Sequence, residues 1–358
     1  MSHDNLVGQM LGQYELRELL GVGGMGAVYR AFQTSLKREV AVKVLPSTLV
    51  SEAGYVERFN REAQTAALLE HPHIVSIFDY GTQQGTSYLV MRLLTGGTLA
   101  QRLNQRDSKG NIILPSLGET AILVAQLSSA LAYAHNQGVI HRDIKTSNVM
   151  FDNQGNGYLV DFGIAKLMGI QSGLTGTGMA MGTPAYMPPE QWAGRELTPA
   201  ADQYALAVLV YAMVTGRVPF EAATPYELLH KHLHEQPTPP HSFRADLPEA
   251  VDVVLGKALS KEPEDRFANV TAFAQAFDSA IEGGKGDATG FFTSKIPTRS
   301  ARPIGHALAT PTPGMTPGTP SRINSSRTPV SSLSQPVSIT QPTPVYKNPI
   351  AYGVLIVI

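Results

Sequence analysis

Residues 140–148 read IHRDIKTSN. His141, Arg142, Asp143, Lys145 and Asn148 crowd strongly polar side chains into one short segment, directly behind an apolar, helix-like stretch at 119–137. Charged groups are costly to bury unless they are paired. The segment is therefore either a solvated loop or a site that sets a base, a cation and a metal ligand around one reacting group. In the second reading Asp143 accepts or orients a hydroxyl proton. Lys145 stabilises charge on a transferring phosphate. Asn148 offers an uncharged oxygen suited to Mg²⁺. His141 reads as a packed structural histidine, and Arg142 as the partner of an anion.

Outward from that segment, Leu159-Val160-Asp161-Phe162-Gly163 ends an apolar strand on one carboxylate. This is a turn aspartate before glycine, or a second hard metal ligand that bridges phosphate oxygens. Far upstream, residues 20–28 read LGVGGMGAV, with Gly21, Gly23 and Gly26 at G-x-G-x-x-G spacing. Glycines there let a backbone approach a phosphate without Cβ clashes, and a plain Gly-rich hairpin is the competing reading. Residues 27–31 (AVYRA) continue as a strand, whereas a dinucleotide fingerprint needs a helix after its glycines. Lys43 stands between Val42 and Val44 in a strand. It either points to solvent or faces a cleft and contacts phosphates, in which case a carboxylate must hold it. Glu62 is the candidate, with Glu52, Glu57 and Glu70 as competitors that spacing leaves open.

Periodicity supplies the frame. Alternation predicts strands at 14–20, 26–32 and 39–45, and two more at 73–79 and 87–93. Val56, Phe59, Ala63, Ala66 and Ala67 lie at helical spacing within 52–70. From 119 onward the pattern is helical, at 119–137, 200–215, 225–234, 249–259 and 270–281, with short strands near 149–151 and 158–160. The expected class is α+β: a small β-rich lobe followed by a larger helical lobe, with a ligand cleft between them.

Composition sets limits. The 358 residues exceed what one hydrophobic core usually holds. A net charge of −1 makes no case for nucleic-acid binding, and the absence of cysteine excludes disulfides and thiolate-ligated metal. Charge and proline are unevenly spread. Residues 288–358 contain no Asp or Glu, carry +6, and hold 11 of the 25 prolines, which leaves −7 on the first 287 residues. Such a segment buries too little apolar surface to order itself.

Glycine loop, strand lysine, helix glutamate, HRDxxxxN, DFG and a later PPE occur in one order, and that order resembles the protein-kinase signature. Residues 14–281 resemble a bacterial eukaryotic-like (Hanks-type) serine/threonine protein kinase. The resemblance is carried by LGVGGMGAVYRA, VAVKVL, HPHIV, YLVM, HRDIKTSNVM, DFGIAK, MGTPAYMPPEQ and EPEDRF. It implies a bilobal kinase-like fold, with an N-lobe at 14–91 and a C-lobe at 95–281, and ATP between them. Leu20, Gly21, Val22, Gly23, Gly24, Met25, Gly26, Ala27 and Val28 would cover the nucleotide. Lys43 would contact its α- and β-phosphates and pair with Glu62. Val28, Ala41 and Met150 would sandwich adenine, with Met91 as gatekeeper and Arg92 to Leu94 as hinge. Asp143 would be the catalytic base beside Lys145, while Asn148 and Asp161 would hold Mg²⁺, for which Mn²⁺ is a substitute.

The same resemblance implies protein substrates with serine or threonine acceptors. Lys145 follows the serine/threonine pattern, and Thr183 matches the threonine that faces the catalytic aspartate. Arg142 before Asp143 implies an activation loop ordered by phosphorylation, with Thr175 and Thr177 as acceptors. Glu190 and Arg266 match a buried ion pair, and Asp202 matches the aspartate that supports the catalytic loop. Departures are Thr146 where the family often has proline, Pro188 before Pro189-Glu190, and Arg92 where the hinge often has glutamate. A nucleotide-binding pseudokinase scaffold is the alternative; Lys43, Asp143, Asn148 and Asp161 are all present and speak against it.

Residues 282–348 are expected to be a disordered basic juxtamembrane linker. Residues 349–358 (PIAYGVLIVI) read as the start of a truncated transmembrane helix or as a short apolar peptide. The family resemblance favours the first, with the kinase domain cytoplasmic and the full-length protein single-pass. It also implies homodimerisation through the small lobe.

Overall fold

The computed structural model describes residues 6–23, 26–45, 54–162, 184–282 and 291–293. The chain divides into two units, 1–299 and 300–358, and all described residues belong to the first. Gly24, Met25, Glu52, Thr175, Thr177, Thr183 and the apolar run 349–358 lie outside the described residues.

Six antiparallel strands build the N-lobe. They are β1 (Met10–Leu11), β2 (Tyr14–Gly23), β3 (Gly26–Gln33), β4 (Arg38–Val44), β5 (Ile77–Gln83) and β6 (Thr86–Met91), with sheet order β1-β2-β3-β4-β6-β5. β4 is interior, and both its faces are buried. Strand side chains alternate between faces. Val40, Val42 and Val44 therefore join Leu16, Tyr29 and Val90 on one face. Ala41 and Leu45 join the other, under the helix α1 (Tyr55–Ala67). α1 offers Tyr55, Phe59, Glu62, Ala63 and Ala66 as its buried stripe. This parity puts Lys43 on the α1 side of the sheet. Its register partners there are Val28 and Leu89.

The expected strand at 73–79 starts later, at Ile77. The residues before it pair elsewhere: Val75 N–H donates to Leu159 O, and Leu159 N–H donates to His73 O. The expected strand at 87–93 ends at Met91, opposite Ala41, and Arg92 N–H turns to Ser76 O.

The C-lobe is helical: α2 (Leu99–Leu103), α3 (Leu117–Asn136), α4 (Pro189–Trp192), α5 (Pro199–Thr215), α6 (Pro225–His234), α7 (Glu249–Ala258) and α8 (Val270–Ala280), with a two-stranded ribbon of β7 (Val149–Phe151) and β8 (Gly157–Leu159). α3 begins with a reciprocal capping box between Ser116 and Glu119, a device that satisfies two orphan helix donors. It is long and apolar enough to cross a membrane by composition, and here most of its apolar residues, though not Ile122, pack into the C-lobe core. α5 is buried almost all round, from Ala201 to Val214. A helix apolar on every side belongs in the middle of a core, and α3, α7 and α8 pack around it. Residues 291–293 fall within the expected disordered linker, yet Phe291 and Phe292 are core residues.

Candidate active site

The segment 140–148 is neither helix nor strand until a single 3₁₀ turn at Thr146–Asn148. Its shape comes from Asp202 in the first turn of α5. Asp202 accepts from His141 N–H at 2.8 Å and from Arg142 N–H at 2.9 Å, and its carboxylate also meets His135 Nε2 at 2.8 Å. Arg142 takes φ 67°, an unfavourable conformation for a non-glycine residue, and these bonds hold it there. His141 is fully buried. Its Nε2 donates to Val160 O at 3.0 Å, and its Nδ1 accepts from Asp143 N–H at 3.3 Å. Those contacts select the Nε2–H tautomer and make His141 a strut rather than a reactant. Its ring also packs on Phe162, with centroids 4.4 Å apart.

Asp143 then presents its carboxylate to two donors. Lys145 Nζ reaches Oδ1 at 3.0 Å and Oδ2 at 2.8 Å. Asn148 Nδ2 reaches Oδ2 at 2.9 Å and Asp143 O at 2.8 Å. These bonds use the amide nitrogen of Asn148, and its oxygen is the atom suited to a cation.

Lys43 is 4 % exposed, so the solvent reading fails for it. Its ammonium meets Asp161 Oδ2 at 2.8 Å. Asp161 sits at φ 67° just after β8, where Val160 N–H donates to Asn148 O. This bond and that from His141 Nε2 to Val160 O tie the Asp161 segment to the Asp143 loop. Of the competing carboxylates, Glu57 and Glu70 are exposed and Glu62 is on the buried face of α1. Glu62 borders a cavity of about 280 Å³ with Thr65, Ala66, Val139, Arg142 and Phe162.

Val28, Ala41, Met91, Leu93, Leu94 and Met150 belong to one apolar cluster, so the residues expected around adenine do converge. The glycine stretch is the turn end of the β2–β3 hairpin, with Gly23 paired to Gly26. Its glycines differ in cause. At Gly26 φ is +115°, and a Cβ would lie 2.0 Å from Val44 O, so the sheet itself demands glycine. At Gly21 and Gly23 a Cβ would meet nothing within 4 Å among the described residues. Packing against those residues does not explain these two. Leu20 and Val22 are exposed beside them. Arg92 directs its guanidinium to Tyr158 Oη at 3.0 Å and over the Tyr158 ring.

Away from the cleft, Arg266 grips Glu190 with two bonds of 2.8 and 2.7 Å and donates also to Ser260 O, Ala200 O and Lys261 O. Thr146, in the departure from the common pattern, shares a 3.1 Å hydrogen bond with Tyr186 Oη.

Comparison with known proteins agrees with this geometry. Residues 14–277 match the family model described as the protein kinase domain. The serine/threonine-protein kinase PknH of Mycobacterium bovis is 38 % identical over 280 residues, which covers 78 % of this chain and 46 % of PknH. The serine/threonine-protein kinase pkn3 of Myxococcus xanthus is 39 % identical over 281 residues, covering 75 % of this chain and 50 % of its own. The chain thus spans about half the length of the curated relatives it matches. The crystal structure of the Mycobacterium tuberculosis PknI kinase domain superposes with a TM-score of 0.61 at 30 % identity, covering 78 % of this chain and all of that one.

Proposed function

Because the chain belongs to the protein kinase family, we propose that it transfers the γ-phosphoryl group of ATP to serine or threonine hydroxyls of protein substrates. The observation that carries this reading is the hydrogen-bonded group of Asp143, Lys145 and Asn148, joined through Val160 to the Lys43–Asp161 pair.

Asp143 orients the acceptor hydroxyl and takes up its proton as the bond to the γ-phosphorus forms and the bond from that phosphorus to the bridging oxygen breaks, with ADP as leaving group. Lys145, already on that carboxylate, follows the transferring phosphoryl and offsets its charge. Lys43 holds the α- and β-phosphates, and Glu62 on α1 is the carboxylate proposed to steady it. Gly21 and Gly23, open on the side where a Cβ would project, leave room for phosphate oxygens against the backbone. Val28, Ala41 and Met150 enclose adenine between the lobes, behind the gatekeeper Met91. The Asn148 oxygen and the Asp161 carboxylate form a hard donor pair that fits Mg²⁺, an ion that takes one or two protein ligands and completes its shell with phosphate and water. Bound there, Mg²⁺ would neutralise charge on the β- and γ-phosphates.

Arg142, tethered by its backbone and lining the cavity beside Glu62, is positioned to receive a phosphorylated loop residue, for which Thr175 and Thr177 are the proposed acceptors. Thr183 is proposed to face the acceptor. The six Lys and Arg residues of the segment after Asp287 support a cytoplasmic kinase domain next to a membrane.

The test is phosphate incorporation from Mg·ATP by the purified chain, mapped by mass spectrometry beside Asp143→Asn. Incorporation at Thr175 or Thr177 that disappears in the variant is expected. Equal incorporation by both proteins, or none by either, would overturn the reading.

A further inference from the structure

Phe291 and Phe292 lie far along the chain from the C-lobe surface they occupy, yet they are only 4 % and 8 % exposed. Their seat is built from charged as well as apolar groups. Phe291 N–H donates to Glu119 Oε1 at 2.9 Å, and Phe291 O accepts from an Arg102 Nη at 2.6 Å. A buried cation and a buried anion thus bracket the backbone of one residue, Phe291. The phenyl ring of Phe292 stacks on Phe151, with centroids 5.0 Å apart and planes 18° from parallel. Gly155 completes the seat: a Cβ there would lie 2.9 Å from Phe292 O.

Arg102 and Glu119 each hold this segment while serving a second element. The other Glu119 oxygen accepts from Ser116 N–H and Oγ–H and so caps α3. The other Arg102 terminal nitrogen donates to Gly96 O at 2.7 Å, and the guanidinium lies 4.6 Å from the centre of the Phe151 ring. Gly96 and Phe151 are themselves zipped together. Gly96 N–H donates to Phe151 O at 2.8 Å, and Phe151 N–H donates to Gly97 O at 2.9 Å. A Cβ at Gly96 would sit 2.2 Å from Asp152 O. Gly96 follows the hinge residue Leu94 by two positions, and Phe151 is the strand neighbour of Met150. Arg102 and Phe151, which both touch the tail segment, therefore also back the adenine wall.

We propose that Phe291-Phe292 is a clip by which the start of the tail docks on its own kinase domain, and that Arg102 and Phe151 pass the docked state to the nucleotide site. Arg102 is thereby a positioning residue for the hinge. With the clip seated, its guanidinium is held between two carbonyls and fixes Gly96. With the clip withdrawn, that guanidinium loses one carbonyl, Phe151 loses its stacking partner, and the hinge-to-β7 zipper loosens. The coupling half of this proposal rests on the ATP site proposed above; the docking half does not.

The experiment uses the full chain, wild type and the double variant Phe291→Ala/Phe292→Ala. Hydrogen exchange of a peptide covering 288–294 reads docking, and calorimetric titration with ATP reads coupling. The wild-type segment should exchange slowly and the variant segment fast. The variant should bind ATP about fivefold more weakly at unchanged stoichiometry. Reduced stoichiometry at wild-type affinity would mean a misfolded fraction and overturn the coupling. Phe292→Leu, which keeps apolar volume and loses the ring stack, should show an intermediate affinity; wild-type affinity there together with wild-type affinity in the double variant would also overturn it. Fast exchange in the wild type would overturn docking. A protected clip in a wild-type chain that binds no ATP would leave docking standing and overturn the coupling along with the ATP-site reading.

Discussion

Two buried ion pairs, one inside the C-lobe and one joining the two lobes, are built on opposite plans. Arg266–Glu190 is bidentate, both side chains are almost inaccessible, and three backbone carbonyls take donor hydrogens of the same guanidinium. Lys43–Asp161 is a single contact of 2.8 Å, and the Asp161 side chain keeps 19 % of its surface exposed at a residue held at positive φ. A bidentate, fully satisfied pair has nowhere better to go. A single contact on a partly open carboxylate can exchange its partner for a phosphate or a cation. The lesson is that burial and charge do not by themselves mark a functional pair. The number of remaining partners and the access to the weaker member do.

That contrast can be broken or sharpened in four ways. The largest effect is expected at the closed pair. Glu190→Gln leaves the Arg266 charge buried without its counter-ion, and denaturant unfolding should show a loss of about 3–5 kcal/mol. Second, Lys43→Met and Asp161→Asn should lower phosphotransfer roughly a hundredfold or more and change the unfolding midpoint far less than Glu190→Gln does. A stability loss equal to that of Glu190→Gln would erase the distinction.

Third, the acid sensitivity of the fold should come from the C-lobe and not from the cleft. His232 is buried against Trp192, Phe220 and Tyr204, with Lys261 donating to its carbonyl at 2.8 Å. Burial, with Lys261 adding to it, lowers its pKa to about 3. The unfolded chain takes up this proton near pH 6.5, and the folded chain refuses it until about pH 3. Stability therefore falls as pH drops below that of the free imidazole, by about 2 kcal/mol between pH 7 and 5. His232→Gln should flatten that part of the profile, measured by urea unfolding at each pH.

The smallest effect separates two glycines of one hairpin. Gly26→Ala should cost about 1–3 kcal/mol, because its Cβ meets Val44 O and its φ is positive. Gly21→Ala should stay within about 0.5 kcal/mol in stability while raising the KM for ATP.

Much of the site was legible because its chemistry is written locally. Asp143, Lys145 and Asn148 lie within one turn of chain, and no solvated loop needs that set in that order. Lys43 was ambiguous in isolation, and the parity of β4 resolves it: once Val42 and Val44 point to one face, Lys43 must point to the other. The carboxylate it meets was less legible, because Asp161 reaches it by tertiary folding across 118 positions. The clip was missed for the opposite reason. Residues 291–293 sit in a basic tail rich in proline, serine and threonine, whose average composition hides one aromatic pair. Their partners Arg102 and Glu119 look like ordinary surface charges, since the groups they hold are 189 and 172 residues away. A phenylalanine pair next to glycine within an otherwise polar tail was the available signal. Strand limits near 73–76 failed because those residues bond to β8, in the other lobe, which no local pattern records.

The segment 140–148 hangs from Asp202, and Asp202 belongs to the most deeply enclosed helix among the described residues. A loop suspended this way borrows its rigidity from the core. It has no separate melting of its own: as long as α5 stands, His141 and Arg142 stay in register, and when α5 goes they go with it. Warming should therefore leave turnover geometry intact up to the edge of the cooperative transition, with loss of phosphotransfer and loss of helical ellipticity falling on one curve.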